Sequence, residues 1–376
     1  MKVTIVSIGR FHVADLAREL IALGHEVVFH SIVPPRRLEA FGIPLKNQRC
    51  HLMKVAPLVF ARRYLPLSSG LKERISLWIK YILDNSYAKI KDPGDVFIGM
   101  SGLCVKSLKA AKNKGAKVLL ERGSRHILSQ KKILENLNSG SRPQVPEWAV
   151  TRELAGYKLA DRIVVGSQHV LESFLEYGFS KEAIFKNNYG VDLEEFPPTP
   201  VPKREIPRIV MVGKWCLRKG CDVLLEAWMK MEVRAELLHV GPVDDAPLSN
   251  LPDFIHLDAV DQKQLKKIYA EGNVFALASR EEGLALVQPQ ALSCGLHVVC
   301  TDRCGGADLA SLVDNTDIIR VVPHDDANEL ARALDEATTS AFSLPSGMMR
   351  DPLGTKKSNL SWRKYGERYS EFLAKL

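Results

Sequence analysis

The apolar residues of the chain fall into short continuous runs and longer stretches with helical spacing. Residues Val3 to Ile8 form the first run, which predicts a strand, and Gly9 interrupts it. The apolar positions that follow lie on one helical face, at Val13, Leu16, Ala17, Leu20 and Ile21. Gly24 ends this helix, and Glu26 to His30 predicts the next strand. The chain therefore opens with a strand, a glycine turn, a helix and a strand.

The same order of elements returns in the second half. Residues Arg208 to Val212 predict a strand, Gly213 to Gly220 a loop, Asp222 to Met231 a helix and Ala235 to Val240 a strand. Strands that alternate with helices are typical of a parallel sheet covered by helices on both faces. The 376 residues are enough for two such domains, so we predict an α/β protein with two doubly wound halves.

Proline marks the boundary between the halves. The segment FPPTPVPKREIP, residues 196–207, contains five prolines, which exclude helix and central strand and predict a stiff, extended connection. We therefore assign residues 1–196 to an N-terminal domain, 197–207 to a linker and 208–358 to a C-terminal domain. Residues 359–376 predict an amphipathic helix, with a stripe formed by Trp362, Tyr365, Tyr369, Phe372, Leu373 and Leu376.

The composition of the chain indicates its cellular compartment and the class of its binding partner. The formal net charge of +8 favours an anionic partner, which a nucleotide, a nucleic acid or an acidic membrane surface would each supply. The seven cysteines have neither paired nor zinc-ligand spacing, so we expect buried or free thiols in a reducing compartment. The N-terminus has the pattern of a strand and no apolar run reaches about 18 residues, so a cytoplasmic protein is expected.

A candidate anion site follows the strand predicted at Val274 to Ala278. Glu281 and Glu282 lie in the loop after this strand, and Pro289 to Cys294 predicts a short helix that Gly295 closes. The loop amides and the start of the helix point into the cleft at the carboxyl edge of the sheet, where a diphosphate would fit. The amides in question belong to Gly283, Leu284, Ala285, Leu286 and Val287.

A second loop on the same sheet edge carries cations. Gly213 and Lys214 begin it, and Arg218, Lys219 and Gly220 end it. Because both loops follow strands of one parallel sheet, these cations can converge on the same anion, and fixed positive charge is what a departing phosphoryl group needs. The alternative is that the three cations lie on a solvated loop.

Several segments together resemble the family-4 retaining glycosyltransferases, which have the GT-B fold. The two hallmark segments of that family are similar to VGKWCLRKGCDVLLEAW and EEGLALVQPQALSCGLHVVCTDRCGG. ADRIVVGSQHVLESFLEYG with NNYGVDLEEF resembles the end of its N-terminal domain, and SWRKYGERY resembles its closing helix, which crosses back to that domain. The resemblance extends over nearly the whole chain and implies two Rossmann-like domains that face a central cleft.

The resemblance implies roles for residues of the C-terminal domain. Lys214 and Lys219 occupy the positions of the cations that hold the donor diphosphate, although lysine at 214 replaces an arginine and loses its bidentate fork. Glu282 occupies the position that hydrogen-bonds hydroxyls of the transferred sugar. Gln290 occupies the position that holds the ribose, where the family has glutamate. An amide still offers one hydrogen-bond acceptor to the ribose diol. The alternative is that Gln290 is an ordinary residue on the helix surface.

In the N-terminal domain, the resemblance implies roles for two further loops. His126 lies in the loop after the strand Lys117 to Leu120, where the family has a histidine that faces the donor sugar, but a structural histidine is an equal alternative. Gly9 corresponds to the first glycine of the family's Gly-Gly loop, and Arg10 replaces the second. Arg10 could clamp a phosphate or an acidic acceptor, or simply close the loop.

The function implied is retaining transfer of a sugar from a UDP-, GDP- or other nucleoside-diphosphate sugar to a glycan or lipid-linked acceptor, in polysaccharide or glycoconjugate synthesis. No D-x-D motif is present, so we expect no metal cofactor; the pairs at Asp244 and Asp325 predict exposed charge. Alternatives are a nucleotide-sugar 2-epimerase and a non-catalytic nucleotide-sugar-binding protein. Nucleic-acid binding is not expected, because no base-stacking module is recognisable.

Residues 54–83 carry an excess of basic side chains among aromatic and aliphatic ones. The cations are Lys54, Arg62, Arg63, Lys72, Arg74 and Lys80, against Glu73 alone among the acids. Leu58, Phe60, Tyr64, Leu65, Trp78 and Ile79 lie between them. This pattern is typical of a surface that contacts an anionic membrane, here its cytoplasmic face. An ordinary core helix with a solvated basic face is the alternative.

Overall fold

Alternating strands and helices give each half of the chain one parallel β-sheet. The computed structural model describes residues 1–137, 145–351 and 353–376. The N-terminal strands are β1 (Lys2–Val6), β2 (Glu26–Ser31), β3 (Gln48–Cys50), β4 (Val96–Met100), β5 (Lys117–Arg122), β6 (Arg162–Val165) and β7 (Ile184–Lys186). The helices of this half are α1 (Phe11–Ala22), α2 (Pro35–Ala40), α3 (Ala56–Tyr64), α4 (Ser69–Tyr87), α5 (Lys106–Asn113), α6 (Ile127–Glu135), α7 (Glu147–Leu159) and α8 (Gln168–Leu175).

The second half repeats this arrangement. Its strands are β8 (Arg208–Val212), β9 (Glu236–Val240), β10 (Phe254–Leu257), β11 (Val274–Leu277), β12 (His297–Thr301) and β13 (Ile319–Val322). Its helices are α9 (Cys221–Lys230), α10 (Gln262–Glu271), α11 (Val287–Ser293), α12 (Gly306–Ala310) and α13 (Ala327–Phe342), followed by α14 (Trp362–Leu373). Short 3₁₀ turns lie at Leu45–Asn47, Leu52–Lys54, Lys181–Ala183, Leu217–Lys219, Thr316–Ile318 and Gly354–Leu360.

In both sheets the first strand along the chain lies inside the sheet, and the chain reverses its direction of winding beside that strand. The order is β3-β2-β1-β4-β5-β6-β7 in one sheet and β10-β9-β8-β11-β12-β13 in the other. All named pairs are parallel, with Ile5 opposite Ile98 and Val210 opposite Phe275 at the two reversal points. Ligands of doubly wound sheets bind outside the carboxyl ends of the strands at such a reversal. The predicted α/β fold with two Rossmann-like domains is confirmed.

Most of the elements that the sequence pattern predicted lie within one or two residues of their predicted bounds. The strand predicted at Arg208 to Val212 has those bounds in the structure, and the helix predicted at Asp222 to Met231 runs from Cys221 to Lys230. The short helix predicted from Pro289 begins at Val287 instead. Pro289 still lies in its first turn, where a missing N–H costs no hydrogen bond.

The last helix, α14, packs against the N-terminal domain. The hydroxyl of Tyr369 donates to Glu121 Oε1 at 2.7 Å, and His12 Nε2 lies 3.0 Å from Glu121 Oε2. Gly366 lies directly against Glu19 of α1, where a β-carbon would be 2.4 Å from the Glu19 Cβ. The buried carboxylate of Glu121 thus joins β5, α1 and α14, so the two ends of the described chain share one core.

The proline-rich linker is fixed to the C-terminal domain. Thr199 donates its hydroxyl to the carbonyl oxygen of Cys294 at 2.6 Å, and Arg350 donates to the carbonyl oxygen of Thr199 at 3.2 Å. The chain passes into the C-terminal domain just before the linker and returns to the N-terminal domain after the C-terminal domain is complete. The two crossing segments lie side by side. There the Val191 N–H donates to the Leu360 carbonyl at 2.7 Å.

Asp84 is a fully buried carboxylate that ties α4 to the start of α5. It accepts hydrogen bonds from the backbone N–H groups of Val105, Lys106 and Ser107. Arg152 of α7 completes the cluster, with Nη2 at 3.0 Å from Asp84 Oδ2. A charge without water survives in a core only with this degree of pairing.

We predict that Asp84→Ala lowers the free energy of unfolding by about 3 to 5 kcal/mol, because it leaves the buried Arg152 charge unpaired. Urea unfolding followed by circular dichroism measures the change. Asp258→Asn, which alters an exposed carboxylate, is the control. Equal midpoints for the two variants would contradict this account of α5.

Candidate functional site

The carboxyl edges of the two sheets face each other and are in direct contact. The loop after β11, residues 279–286, meets the loop after β5, residues 123–126. A β-carbon on Gly283 would lie 2.2 Å from the carbonyl oxygen of Gly123, so this approach requires glycine. The predicted donor loop therefore lies in the interface between the domains.

The cation-bearing loop after β8 packs against the end of β11. Gly220 has a φ of +62°, and a β-carbon there would lie 2.0 Å from the carbonyl oxygen of Ala278. Only glycine fits this left-handed, crowded position. The tight turn places the neighbouring Arg218 and Lys219 beside the two glutamates that follow β11.

Glu282 is held by two cations. Lys219 Nζ forms an ion pair with Glu282 Oε1, and Arg218 Nη1 lies 3.1 Å from the same oxygen. Burial acts to raise the pKa of Glu282, but the Lys219 and Arg218 charges outweigh it, so the pKa is lowered and the group is ionised. The structure thus brings together three of the predicted site residues.

Lys214 has a different partner. Its Nζ lies 3.1 Å from Asp244 Oδ2, and the side chain is half exposed. The two predicted diphosphate cations, Lys214 and Lys219, therefore have separate carboxylate partners in this structure. Arg218 takes the position beside Lys219.

Side chains of the N-terminal domain form hydrogen bonds with backbone carbonyl groups of the donor loop. Ser167 Oγ donates to the Gly283 carbonyl at 2.8 Å, and His169 Nε2 lies 3.0 Å from the Glu282 carbonyl oxygen. Burial lowers the pKa of His169. Sequence reasoning gave these two residues no role, because only the closed arrangement of the domains brings them to the loop.

Gln290 lines a small cavity between the domains. The cavity has a volume of about 80 Å³, and Arg10 and Leu286 also line it. The amide oxygen of Gln290 is buried and has no hydrogen-bond partner among the described residues. Arg10 stacks on Phe41, with its guanidinium carbon 4.6 Å from the ring centre. Gln290 is therefore an unsatisfied acceptor in the cleft rather than a helix-surface residue.

His126 occupies an aromatic enclosure within the N-terminal domain. Its ring is stacked on Tyr177 at 4.2 Å between centroids, and Phe174 and Tyr157 meet it at 5.1 Å. The residue is 2% exposed, and its Nδ1 accepts a hydrogen bond from the Leu128 N–H at the start of α6. In this structure the ring has no surface open to a donor sugar, so His126 is not brought together with Glu282.

Within residues 1–137, 145–351 and 353–376, no group of three or more histidine, cysteine, aspartate or glutamate side chains could hold a metal ion. The Asp325 carboxylate forms an ion pair with Arg280, and Asp326 caps α13.

Comparison with known proteins finds one matching family and several similar proteins. Residues 206–340 match the family described as Glycosyl transferases group 1. A GDP-mannose-dependent alpha-mannosyltransferase of Mycobacterium tuberculosis is 29% identical over 173 residues, 43% of this chain and 44% of that protein. A phosphatidylinositol N-acetylglucosaminyltransferase component from Arabidopsis thaliana is 26% identical over 227 residues, 56% of this chain and 49% of that protein. The matched region thus spans about half the length of these relatives.

Solved structures share the whole architecture. Sucrose-phosphate synthase from Thermosynechococcus elongatus has a TM-score of 0.68 at 18% identity, over 100% of this chain and 98% of that one. Anabaena HepE in complex with UDP-glucose has a TM-score of 0.63 at 13% identity, over 100% of both chains. At these identities the similarity establishes the fold, which is GT-B.

The enclosure of His126 predicts a pH dependence of stability. Burial, with Arg122 nearby, lowers the pKa of His126 from 6.5 to about 4. Between these values the unfolded chain binds a proton that the folded chain does not, so stability falls as the pH falls below 6.5. The contribution lost between pH 7.5 and 5 is about 2 kcal/mol.

His126→Phe should remove this contribution, so the stability of the variant should change less between pH 7.5 and 5 than that of the parent protein. Urea unfolding at both pH values measures the difference. His324→Asn, at a partly exposed position, serves as the control. An unchanged pH dependence in His126→Phe would show that the ring is open to water.

Proposed function

We propose that the protein transfers a sugar, with retention of configuration, from a nucleoside-diphosphate sugar to a hydroxyl group of a glycan or lipid-linked acceptor. The observation that carries the proposal is the pairing of Lys219 and Arg218 with Glu282 at the carboxyl end of β11. These residues lie within the segment that matches group 1 glycosyltransferases. Fixed cations beside a carboxylate are what a departing diphosphate and a sugar hydroxyl require.

The geometry supports an exchange of partners when the donor binds. Arg218, Lys219, Glu281 and Glu282 carry two positive and two negative charges, so without a ligand the cluster is neutral. A diphosphate would draw the two cations away from Glu282, because it offers more negative charge at the same place. The released Glu282 carboxylate could then accept hydrogen bonds from hydroxyls of the transferred sugar.

Gln290 and Arg10 provide a place for the rest of the nucleotide. Gln290 lines the interdomain cavity, and its unpaired oxygen could accept a hydrogen bond from a ribose hydroxyl. Arg10 lies across the same cavity and supplies a cation. The backbone amides of residues 283–287 would complete the phosphate contacts. At the start of this loop, His169 and Ser167 hold the carbonyl groups of Glu282 and Gly283.

We propose retaining transfer without a bound metal, in which Lys219, Arg218 and the loop amides stabilise the leaving diphosphate. One leaving-group oxygen then accepts the proton of the attacking hydroxyl on the same face of the sugar. The named relatives are transferases, which favours this function over 2-epimerisation. A non-catalytic donor-binding protein is the competing function, since Lys214 is paired with Asp244 and Gln290 replaces a carboxylate.

The helical hairpin α3–α4 supports a membrane-borne acceptor. No residue of α3 is buried, and the aromatic side chains Phe60, Tyr64 and Trp78 are 58%, 63% and 50% exposed. On α4, Ile75 and Ile79 are buried in the core, whereas Trp78 is exposed. We propose that the exposed aromatic and basic side chains of residues 53–81 contact an anionic membrane. No described helix is long and apolar enough to cross one.

The donor is identified by a thermal-shift screen of UDP-, GDP-, ADP- and dTDP-sugars, because a ligand of the folded state raises its melting temperature.

With that donor, Lys219→Ala and Glu282→Ala should each lose about 2 to 4 kcal/mol of transition-state stabilisation in kcat/KM. Lys230→Ala, at an exposed helix pair, is the control. Near-normal turnover in both site variants would refute the site. Donor binding without hydrolysis or transfer would favour the non-catalytic protein.

The membrane contact is tested with liposomes that contain phosphatidylglycerol. The parent protein should co-sediment with them at low salt and be released as salt rises, because exposed cations are screened. An Arg62→Ala, Arg63→Ala double variant should bind roughly 30-fold more weakly, at about 1 kcal/mol for each of the two cations near the surface. Lys109→Ala, on an exposed face of α5, is the control. The membrane proposal fails if the parent protein does not co-sediment at low salt.

A further inference from the structure

Glu281 is a buried carboxylate that makes no contact with the donor or the acceptor in the sugar transfer described above. It precedes Glu282 in the donor loop and is 1% exposed. An ionised side chain with so little access to water needs donors from its surroundings. Those donors come from both domains.

The N-terminal domain supplies two neutral donors. Ser124 Oγ donates to Glu281 Oε1, and Gln130 Nε2 donates to Glu281 Oε2 at 3.2 Å. Gln130 is itself fixed by Arg122, whose Nη2 donates to the Gln130 Oε1 at 2.8 Å. Arg122 forms a buried ion pair with Glu153 at 2.8 Å. The donors to Glu281 are thus anchored in the core of the N-terminal domain.

The C-terminal domain supplies the cation. Arg218 Nη1 donates to the backbone carbonyl of Glu281 at 2.9 Å and lies 3.4 Å from its Oε2. The same nitrogen lies 3.1 Å from Glu282 Oε1. If a diphosphate takes the place of Glu282, the contacts with Glu281 still hold the guanidinium at the cleft.

We propose, resting on the sugar transfer proposed above, that Glu281 is a positioning residue that couples closure of the two domains to the orientation of Arg218 toward the donor diphosphate. Closure gives the Glu281 carboxylate the Ser124 and Gln130 donors in place of water. The fixed carboxylate in turn orients Arg218. Opening of the cleft removes both donors from the Glu281 carboxylate. The carboxylate and the Arg218 guanidinium are then free to rotate together.

Pulsed electron paramagnetic resonance tests the closure without any donor. Cys50 is exposed and the other six cysteines are buried, so spin labels at Cys50 and at Met229→Cys report one distance between the domains. Glu281→Ala should broaden the distribution and move it to longer distances, as should Ser124→Ala to a lesser degree. Glu226→Ala, at an exposed position on α9, should leave it unchanged. A Glu281→Ala distribution identical to that of the labelled parent would overturn the coupling.

Kinetics with the donor found in the thermal-shift screen test the positioning of Arg218. Glu281→Ala should raise the donor KM roughly 10- to 100-fold with a smaller fall in kcat, because the diphosphate is already charged in the ground state. Glu281→Gln, which keeps an acceptor, should recover part of the loss. Lower melting temperatures with normal KM would reduce Glu281 to a structural role. If no nucleotide sugar binds the parent protein, the sugar transfer fails while the distance measurement still decides the closure.

Discussion

The cleft depends on a direct backbone contact between the domains at Gly283 and Gly123. Because neither residue has a side chain, the donor loop reaches the N-terminal domain closely enough for Ser167 and His169 to bind its carbonyl groups. With the carbonyls held on one side, the peptide planes of the loop are fixed and their N–H groups have a defined direction. The position of Glu282 follows from that of the loop, and the positions of its cations follow from the turn at Gly220.

The sequence predicted the fold well because its information is local. Apolar runs, helical stripes and glycine turns give the strands and helices, and their alternation gives two parallel sheets with little freedom of topology. That the loops of Lys219 and Glu282 lie close together also follows from sequence, since both leave the same sheet edge, but the ion pair between the two side chains was not predicted. Between Arg208 and Gly295 the predicted elements β8, α9, β9, β11 and α11 lie close to their predicted positions, whereas β10 and α10 were not predicted.

The rest of the site could not be predicted because it arises between the domains. Ser124, Gln130 and His169 reach the donor loop only where the two domains meet, and no periodicity of the sequence encodes that contact. His126 shows the opposite case: its place after β5 indicates a cleft residue, but Tyr157, Phe174 and Tyr177 from α7 and the end of α8 enclose the ring. The choice of Arg218 rather than Lys214 as the second cation near Glu282 depends on Asp244, a contact across 30 residues.

The position of α14 has a consequence for the order in which the protein folds during synthesis. This helix completes the core around Glu121 and His12, yet the ribosome makes it after the entire C-terminal domain. The usual order, in which an N-terminal domain folds first, therefore cannot run to completion here. In sequence, the C-terminal domain is inserted into the N-terminal one. It can therefore finish folding first, while the N-terminal domain, although synthesised earlier, still lacks its final helix. A nascent chain stalled before Trp362 would expose apolar surface that α14 otherwise covers, such as the ring of Phe185, which stacks on Phe372, and this makes the stalled chain a target for chaperones.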